Sequence, residues 1–230
     1  MRGGDRRRRG ADRACDRCAR RRSGAAQAVS GGRAWCRGSR WRLVAQADRR
    51  PAAVNPAPAR VRLDAVSAAD GGELIRCNLA SRDHHHPWAT PFTDRRGFEA
   101  WFARVCDTTQ VARIGREVVT GDVVGVITLS GILRGGFQNA YVGYYGMAGS
   151  SGRGLMTEAV GTMCRLAFDG LGLHRLEANI QPGNVASIRL ARRLGFRLEG
   201  YSPRYLQIGG IWQDHERYAL LADEAAFGAT

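Results

Sequence analysis

The chain has 230 residues, a formal net charge of +14 and no lysine, so all 35 of its Lys+Arg residues are Arg. The charge lies at one end: residues 1–60 hold 17 Arg against four Asp, whereas residues 61–230 hold 18 Arg against 17 acids. This excludes a uniformly basic nucleic-acid binder. No apolar run reaches the roughly 18 residues that span a bilayer, and six Cys are too few for a small disulfide scaffold.

Residues 1–58 are rich in Arg, Gly and Ala and close with Pro51, Pro56 and Pro58, and their apolar residues keep neither a helical nor a strand period. Such a composition buries too little surface to offset chain entropy, so a disordered tail is expected. No apolar core of a secretory signal follows Arg6 to Arg9, and Asp5, Asp12 and Asp16 are out of keeping with an organelle transit peptide. A cytoplasmic protein with reduced thiols is expected. Cys15 and Cys18 form one C-x2-C, but only Cys36 accompanies them and the tail has no His, which leaves a structural zinc site one ligand short. Two origins fit the tail. It is a basic extension that touches RNA phosphates through Arg, or it is GC-rich DNA translated from upstream of the true start.

From residue 59 to 225 the pattern is that of one folded domain. Val61, Leu63 and Ala65 alternate with polar residues, which predicts a first strand over 60–66. Ser67 and Asp70 offer N-cap chemistry for a helix to about Leu79. The run His84, His85, His86, Pro87 is expected to be a solvated turn, since three adjacent side chains do not converge on one ion. Phe98, Trp101, Phe102 and Val105 recur at helical spacing and predict a helix over 94–106. Strands follow over 110–119, 122–130 and 136–147, joined by turns at Gly121 and Gly135. A helix over 153–170, a strand over 173–181, a helix from Asn184 to Gly195 and a hairpin over 196–208 and 211–221 complete the order. This is a mixed α/β sheet flanked by helices, with parallel pairing where a helix joins two strands.

The stretch Gly149-Ser150-Ser151-Gly152-Arg153-Gly154-Leu155 ends a strand and opens a helix. Glycines there allow a tight turn, and the free N–H groups of the first helical turn form an anion site suited to a phosphate or diphosphate, with Arg153 adding charge. No Gly-Lys-Ser/Thr of a P-loop is present, and Thr157 stands where a dinucleotide fingerprint needs its third glycine. Asn184 is a good N-cap with Ser187 three residues on.

The ordered series Pro87-Trp88, Arg134-Gly135-Gly136-Phe137, Gly152-Arg153-Gly154-Leu155-Met156 with Glu158-Ala159, Pro182-Gly183-Asn184 with Ser187, Leu194-Gly195-Phe196 with Glu199-Gly200-Tyr201, and Gly210-Ile211-Trp212-Gln213-Asp214-His215 resembles the GNAT superfamily of N-acetyltransferases. Within it the series is most similar to the ribosomal-protein-alanine N-acetyltransferases of the RimJ/RimL type, RimJ above all. The resemblance implies a mostly antiparallel twisted sheet with a parallel central pair. It implies acetyl-CoA as cosubstrate and no metal. The diphosphate would lie on Ser151, Gly152, Arg153, Gly154, Leu155 and Met156. The pantetheine arm would run beside Tyr144, Tyr145, Gly146 and Met147, with Asn184 and Ser187 holding the rest. A backbone N–H at Gly146 or Met147 would meet the oxyanion. The acceptor would be a protein N-terminus, that of a ribosomal protein, or a small amine.

For proton transfer, Ser187 matches a serine used as acid in RimL-like members. Their base glutamate falls here on Leu206, and the acid that follows Pro-Trp in RimJ-like members falls on Ala89. Glu117, Glu199, Tyr205, Asp214 and His215 remain, with Glu199 carried forward beside Ser187. Asp214 and His215 suit a role in fixing the last hairpin. Pro87, Trp88 and the aromatic helix are expected either to wall the acceptor cleft or to fill the core. Cys77, Cys106 and Cys164 are expected to be packing residues.

Overall fold

Val61 and Leu63 turn inward from a first strand, β1 (Val61–Ala65), that pairs antiparallel with β2 (Val111–Glu117) in the computed structural model, which describes residues 58–225 except Asp107. The tail's expected disorder, C-x2-C thiols and RNA contact fall outside the described residues. β2 pairs with β3 (Val123–Leu133), and β3 with β4 (Asn139–Gly146), both antiparallel. β4 and β5 (Arg175–Ile180) form the parallel pair. β6 (Arg197–Ile208) and β7 (Ile211–Leu221) fold back as a hairpin, giving the order β1-β2-β3-β4-β5-β7-β6.

Helices cover both faces. Between β1 and β2 come α1 (Gly71–Ala80), α2 (Arg82–His85) and α3 (Arg95–Val105). Leu74 of α1 and Phe98 of α3 pack with Ile114, Val123, Val126 and Met147 in one buried cluster. The full burial of each such side chain contributes roughly 2 kcal/mol. On the other face α4 (Leu155–Arg165) and α5 (Val185–Arg193) pack on the larger cluster. There Leu155, Ala159, Met163 and Cys164 meet Ile127, Leu129, Ala140, Leu176 and Leu220. The α4 crossover is what makes β4 and β5 parallel.

Three local expectations change. Ser67 and Asp70 do cap each other, but around a 3-10 turn (Ala68–Asp70) that precedes α1. The turn expected at His84 is the helix α2, and His85 is buried while His84 and His86 are exposed. The long helix expected over 153–170 ends at Arg165 and closes with a π turn (Leu166–Gly170), whose wider ring ends on Gly172 in a left-handed conformation. The aromatic helix belongs mainly to the core: Phe98 is 1% exposed, and Phe92, Trp101 and Phe102 surround it at ring distances of 5.4–6.1 Å.

Candidate active site

β4 and β5 pair only at Asn139–Arg175, Ala140–Leu176 and Tyr141–Glu177; beyond these they part, β4 continuing to Gly146 and β5 to Ile180. The backbone of β4 on that side is left open. Which residues face the opening follows from the antiparallel ladder, in which successive residues alternate between bonding the partner strand and facing away. Met147 donates its N–H to the Val124 carbonyl at 2.8 Å, so Tyr145 and Gly143 also face β3. Val142, Tyr144 and Gly146 therefore present backbone groups to the gap. Met147, expected as an oxyanion donor, has its N–H engaged by β3 and is removed from that role.

The anion turn lies at the mouth of this gap. Ser150 anchors it, its hydroxyl within 2.9 Å of the carbonyls of Val124 and Met147. Gly152 (φ 74°) and Gly154 (φ 77°) take left-handed conformations that disfavour a side chain. Gly154 is the N-cap of α4, and the first helical bond runs from Glu158 N–H to Gly154 O at 3.2 Å. The N–H groups of Leu155, Met156 and Thr157 thus lack an intrahelical acceptor, the arrangement that suits an anion. Met156 also connects turn and gap, since a Cβ on Gly146 would meet its Cγ at 2.8 Å.

Arg153 does not stand free in that turn. Both its terminal nitrogens bond the Glu117 carboxylate at the end of β2, and the bonded guanidinium holds that carboxyl below its usual range. Glu158 has a role the sequence did not signal: its carboxylate accepts from the N–H groups of Arg60 (2.6 Å) and Val61 (3.0 Å), which ties β1 to α4.

On the α5 side, Asn184 Oδ1 accepts the Ser187 N–H at 3.1 Å, the capping bond its position suggested. The Tyr144 hydroxyl donates to the Ser187 carbonyl at 3.3 Å, so this side chain braces β4 against α5 across the gap. Burial raises the Tyr144 pKa and keeps the phenol protonated.

On the opposite face, residues 85–88 cross the mouth from lip to lip. His85 Nε2 lies 2.9 Å from the Gly146 carbonyl at the end of β4. Gln181, next after β5, donates from Nε2 to the Trp88 carbonyl at 3.2 Å. The Trp88 ring sits so close to Gly183 that a Cβ there would lie 2.9 Å from its Cη2. Beside it opens a cleft of about 430 Å³, lined by Pro87, Trp88, Gln181, Gly183, Tyr201, Trp212 and Asp214 among others. Tyr201 and Trp212 are more than half exposed. Sequence reasoning missed His85 and Gln181: one was hidden between two identical neighbours, and nothing local marked the other.

The remaining acids lie elsewhere. Glu199 is a correction: it bonds Arg175 and Arg197 at the end of β5 where the strands are still paired, away from the gap. The Arg175 hydrogen bond leads the causes that lower its pKa, so it is a committed ion-pair partner, not a base. Asp214 accepts from the Tyr201 hydroxyl and from the Arg204 N–H at 2.7 Å, which fixes the irregular stretch of β6 where Arg204 has φ 48°. His215 is 2% exposed and bonds the Gln213 carbonyl, with Tyr205 beside it. Cys164 is fully buried and its thiol is pushed up to about 12 by desolvation, which denies it a nucleophile's role.

A mixed sheet parted at its parallel pair, with an open helix N-terminus at the mouth, defines the acetyltransferase class of α/β folds. The chain belongs to the GNAT acetyltransferase family: the family model described as "Acetyltransferase (GNAT) domain" matches residues 60–197. It is 39% identical over 99 residues to the probable N-acetyltransferase YjcK of Bacillus subtilis (strain 168), covering 43% of this chain and 55% of that protein. It is 40% identical over 99 residues to the [ribosomal protein uS5]-alanine N-acetyltransferase of Escherichia coli (strain K12), covering 43% of this chain and 51% of that one. The matches thus span about half the length of these curated relatives. Among solved structures, that of Mycobacterium smegmatis RimJ in complex with CoA-disulfide superposes with a TM-score of 0.64 at 27% identity, over 74% of this chain and 85% of that chain. No helix among the described residues is long and apolar enough to cross a membrane.

Proposed function

We propose that the chain transfers the acetyl group of acetyl-CoA to an N-terminal α-amine, that of a ribosomal protein. The observation that carries this is the parting of β4 from β5 after Tyr141 with the free N–H groups of α4 at its mouth. The donor set suits the cosubstrate: Leu155, Met156 and Thr157 offer N–H groups to a diphosphate, and the open edge of β4 offers alternating donors and acceptors to an arm that carries amides. The relative from Mycobacterium smegmatis was solved with a CoA disulfide, which supports the same assignment.

Acetyl-CoA supplies a thioester whose carbonyl takes the amine and whose thiolate leaves. The chain's own residues do the rest. An arm lying from the anion turn toward the apex of the gap would bring the thioester to the N–H groups of Val142 and Tyr144, deeper than Gly146, and either could meet the oxyanion. Ser187, in the first turn of α5, would give the leaving thiolate its proton and regain one from water. Tyr144 keeps α5 at that distance through its bond to the Ser187 carbonyl. An α-amine has a pKa of roughly 8, so a sizeable neutral fraction exists near neutral pH and water suffices to carry off its proton.

Residues of the cleft favour a peptide terminus over a polyamine. Trp88, Trp212 and Tyr201 give apolar walls, and the lining carboxylate, Asp214, already serves Tyr201 and Arg204. A polycation needs several free carboxylates. The test is to offer acetyl-CoA with peptides that begin Ala or Ser and, separately, with spermidine and small amines, and to follow CoA release and product mass. Acetylated peptide is the expected product. A protein that modifies only spermidine or small amines, or that fails to bind acetyl-CoA, overturns the proposal.

A further inference from the structure

Past Tyr141 the outer edge of β4 has lost β5, and a backbone carbonyl left there needs another donor. At Gly146 that donor is His85, with Nε2 at 2.9 Å across 61 residues of sequence. A carbonyl only accepts, so Nε2 carries the proton. The same peptide unit gives its N–H, that of Met147, to the Val124 carbonyl at 2.8 Å. It is therefore held on both sides, by β3 and by a side chain that stands where β5 would be. The next N–H, of Ala148, is taken by the Ser81 hydroxyl at 3.1 Å. Ser81 and His85 lie one helical turn apart, joined by a 3.0 Å backbone bond, and so grip successive peptides of one segment. The His85 ring is 5% exposed and meets the Tyr145 ring edge-on at 5.2 Å, so it has little room to move.

We propose that His85 is a positioning residue for acetyl transfer: it replaces the missing β5 partner at Gly146 and fixes the open edge of β4 against which the acyl donor lies. The proposal rests on the acetyltransferase function given above. By occupying the Gly146 carbonyl it also removes an acceptor for the amide N–H groups of the arm. Pairing is left to the carbonyls nearer the apex, which sets how deep the thioester sits. The His85 carbonyl accepts the Trp88 N–H at 2.8 Å, so the same residue links the β4 edge to the cleft wall.

The test compares His85→Phe, which keeps a ring against Tyr145 and loses the donor, with His85→Gln, whose Nε2 can still donate. His84→Ala, on the exposed neighbour, is the control. In His85→Phe, kcat should fall by about 10²-fold, the scale of a misplacement of roughly 1 Å. The dissociation constant of CoA should hold within about threefold, because the anion turn supplies its main contacts. His85→Gln should recover most of kcat, and His84→Ala should match the wild type. Amide hydrogen exchange gives a readout that needs no turnover: Met147 N–H should exchange faster in His85→Phe, with Tyr145 N–H unchanged. Unchanged Met147 exchange, or a kcat loss that His85→Gln does not relieve, overturns the proposal. A wild-type protein inactive toward every acceptor would instead defeat the proposed function, and the exchange data would still decide whether His85 holds the strand edge.

Discussion

Glu117 holds Arg153 through both carboxylate oxygens, joining the end of β2 to the turn that opens α4. The cation of the turn itself is therefore already paired, and an incoming diphosphate would compete with a carboxylate for it. The carboxylate side is the less exposed partner, at 10% against 50% for the guanidinium. Glu117→Gln should free Arg153 and tighten CoA binding by roughly two- to fivefold, the range for a partly exposed pair. Arg153→Ala should weaken binding, since it leaves an uncompensated carboxylate beside the turn. Calorimetric titration at two salt concentrations measures both, and the difference between the variants should shrink at high salt. Equal affinities in the two variants would exclude the competition.

Ser187 separates two roles by atom. Its N–H is capped by Asn184 and its carbonyl braces Tyr144, both main-chain bonds that Ser187→Ala retains. Loss of the hydroxyl should then lower kcat by about 10²-fold, the low end for a general acid, with little change in melting temperature. Asn184→Ala is the converse: losing an N-cap costs about 1 kcal/mol, which for a domain of this size lowers Tm by roughly 2–4 °C. Thermal melts beside steady-state kinetics distinguish the two. If Ser187→Ala keeps full kcat, Ser187 has only its main-chain duties.

Much of the fold was legible because its signals are local. Val61 and Leu63 alternate, Asn184 precedes an amphipathic helix, and Gly152 and Gly154 sit where a left-handed turn must feed α4. The anion site inherits that legibility, being built from consecutive backbone groups. What was not legible depends on register. Glu199 follows a family motif, yet its partner Arg175 lies on β5, with β7 between their strands in the sheet. In the sequence Met147 stands level with Gly146, and only the ladder alternation commits its N–H to Val124. His85 differs from His84 and His86 only in which way α2 turns it, and α2 has no hydrophobic period to reveal that.

The contact between Trp88 and Gly183 gives a prediction on acceptor binding. Gly183→Ala places a methyl within 2.9 Å of the Trp88 ring, which must swing and reshape the cleft. Trp88→Ala removes the same wall outright. Both should raise the KM for the acceptor by about tenfold, as expected when a buried aromatic contact worth 1–2 kcal/mol is lost, and leave the KM for acetyl-CoA unchanged. Bisubstrate kinetics would show the split. A rise confined to acetyl-CoA would assign this cleft to the donor and overturn the placement of the acceptor.

The pH dependence of stability should have two stages, and the sign of each follows from linkage. His85 is buried, and desolvation lowers its pKa despite the Gly146 hydrogen bond. Its folded state therefore binds fewer protons than the unfolded chain. The stability it contributes is complete above the unfolded His value of about 6.5 and is lost as pH falls from there through its folded pKa. Glu117, Glu199 and Asp214 are all held below their ordinary range, by Arg153, by Arg175 and by the Tyr201 hydroxyl respectively. Their contribution is complete above the unfolded carboxylate values near 4 and is lost only as pH falls below them. Melting temperature should thus be flat from about pH 7 up to about pH 9, the range where the thiol of Cys164 and the phenol of Tyr144, both raised by burial, would ionise in the unfolded chain. It should step down once beneath that plateau and fall again in the acid range. In His85→Gln the first step should disappear and the second remain. If the first step persists there, another group produces it, and His85 is not the residue that senses this range.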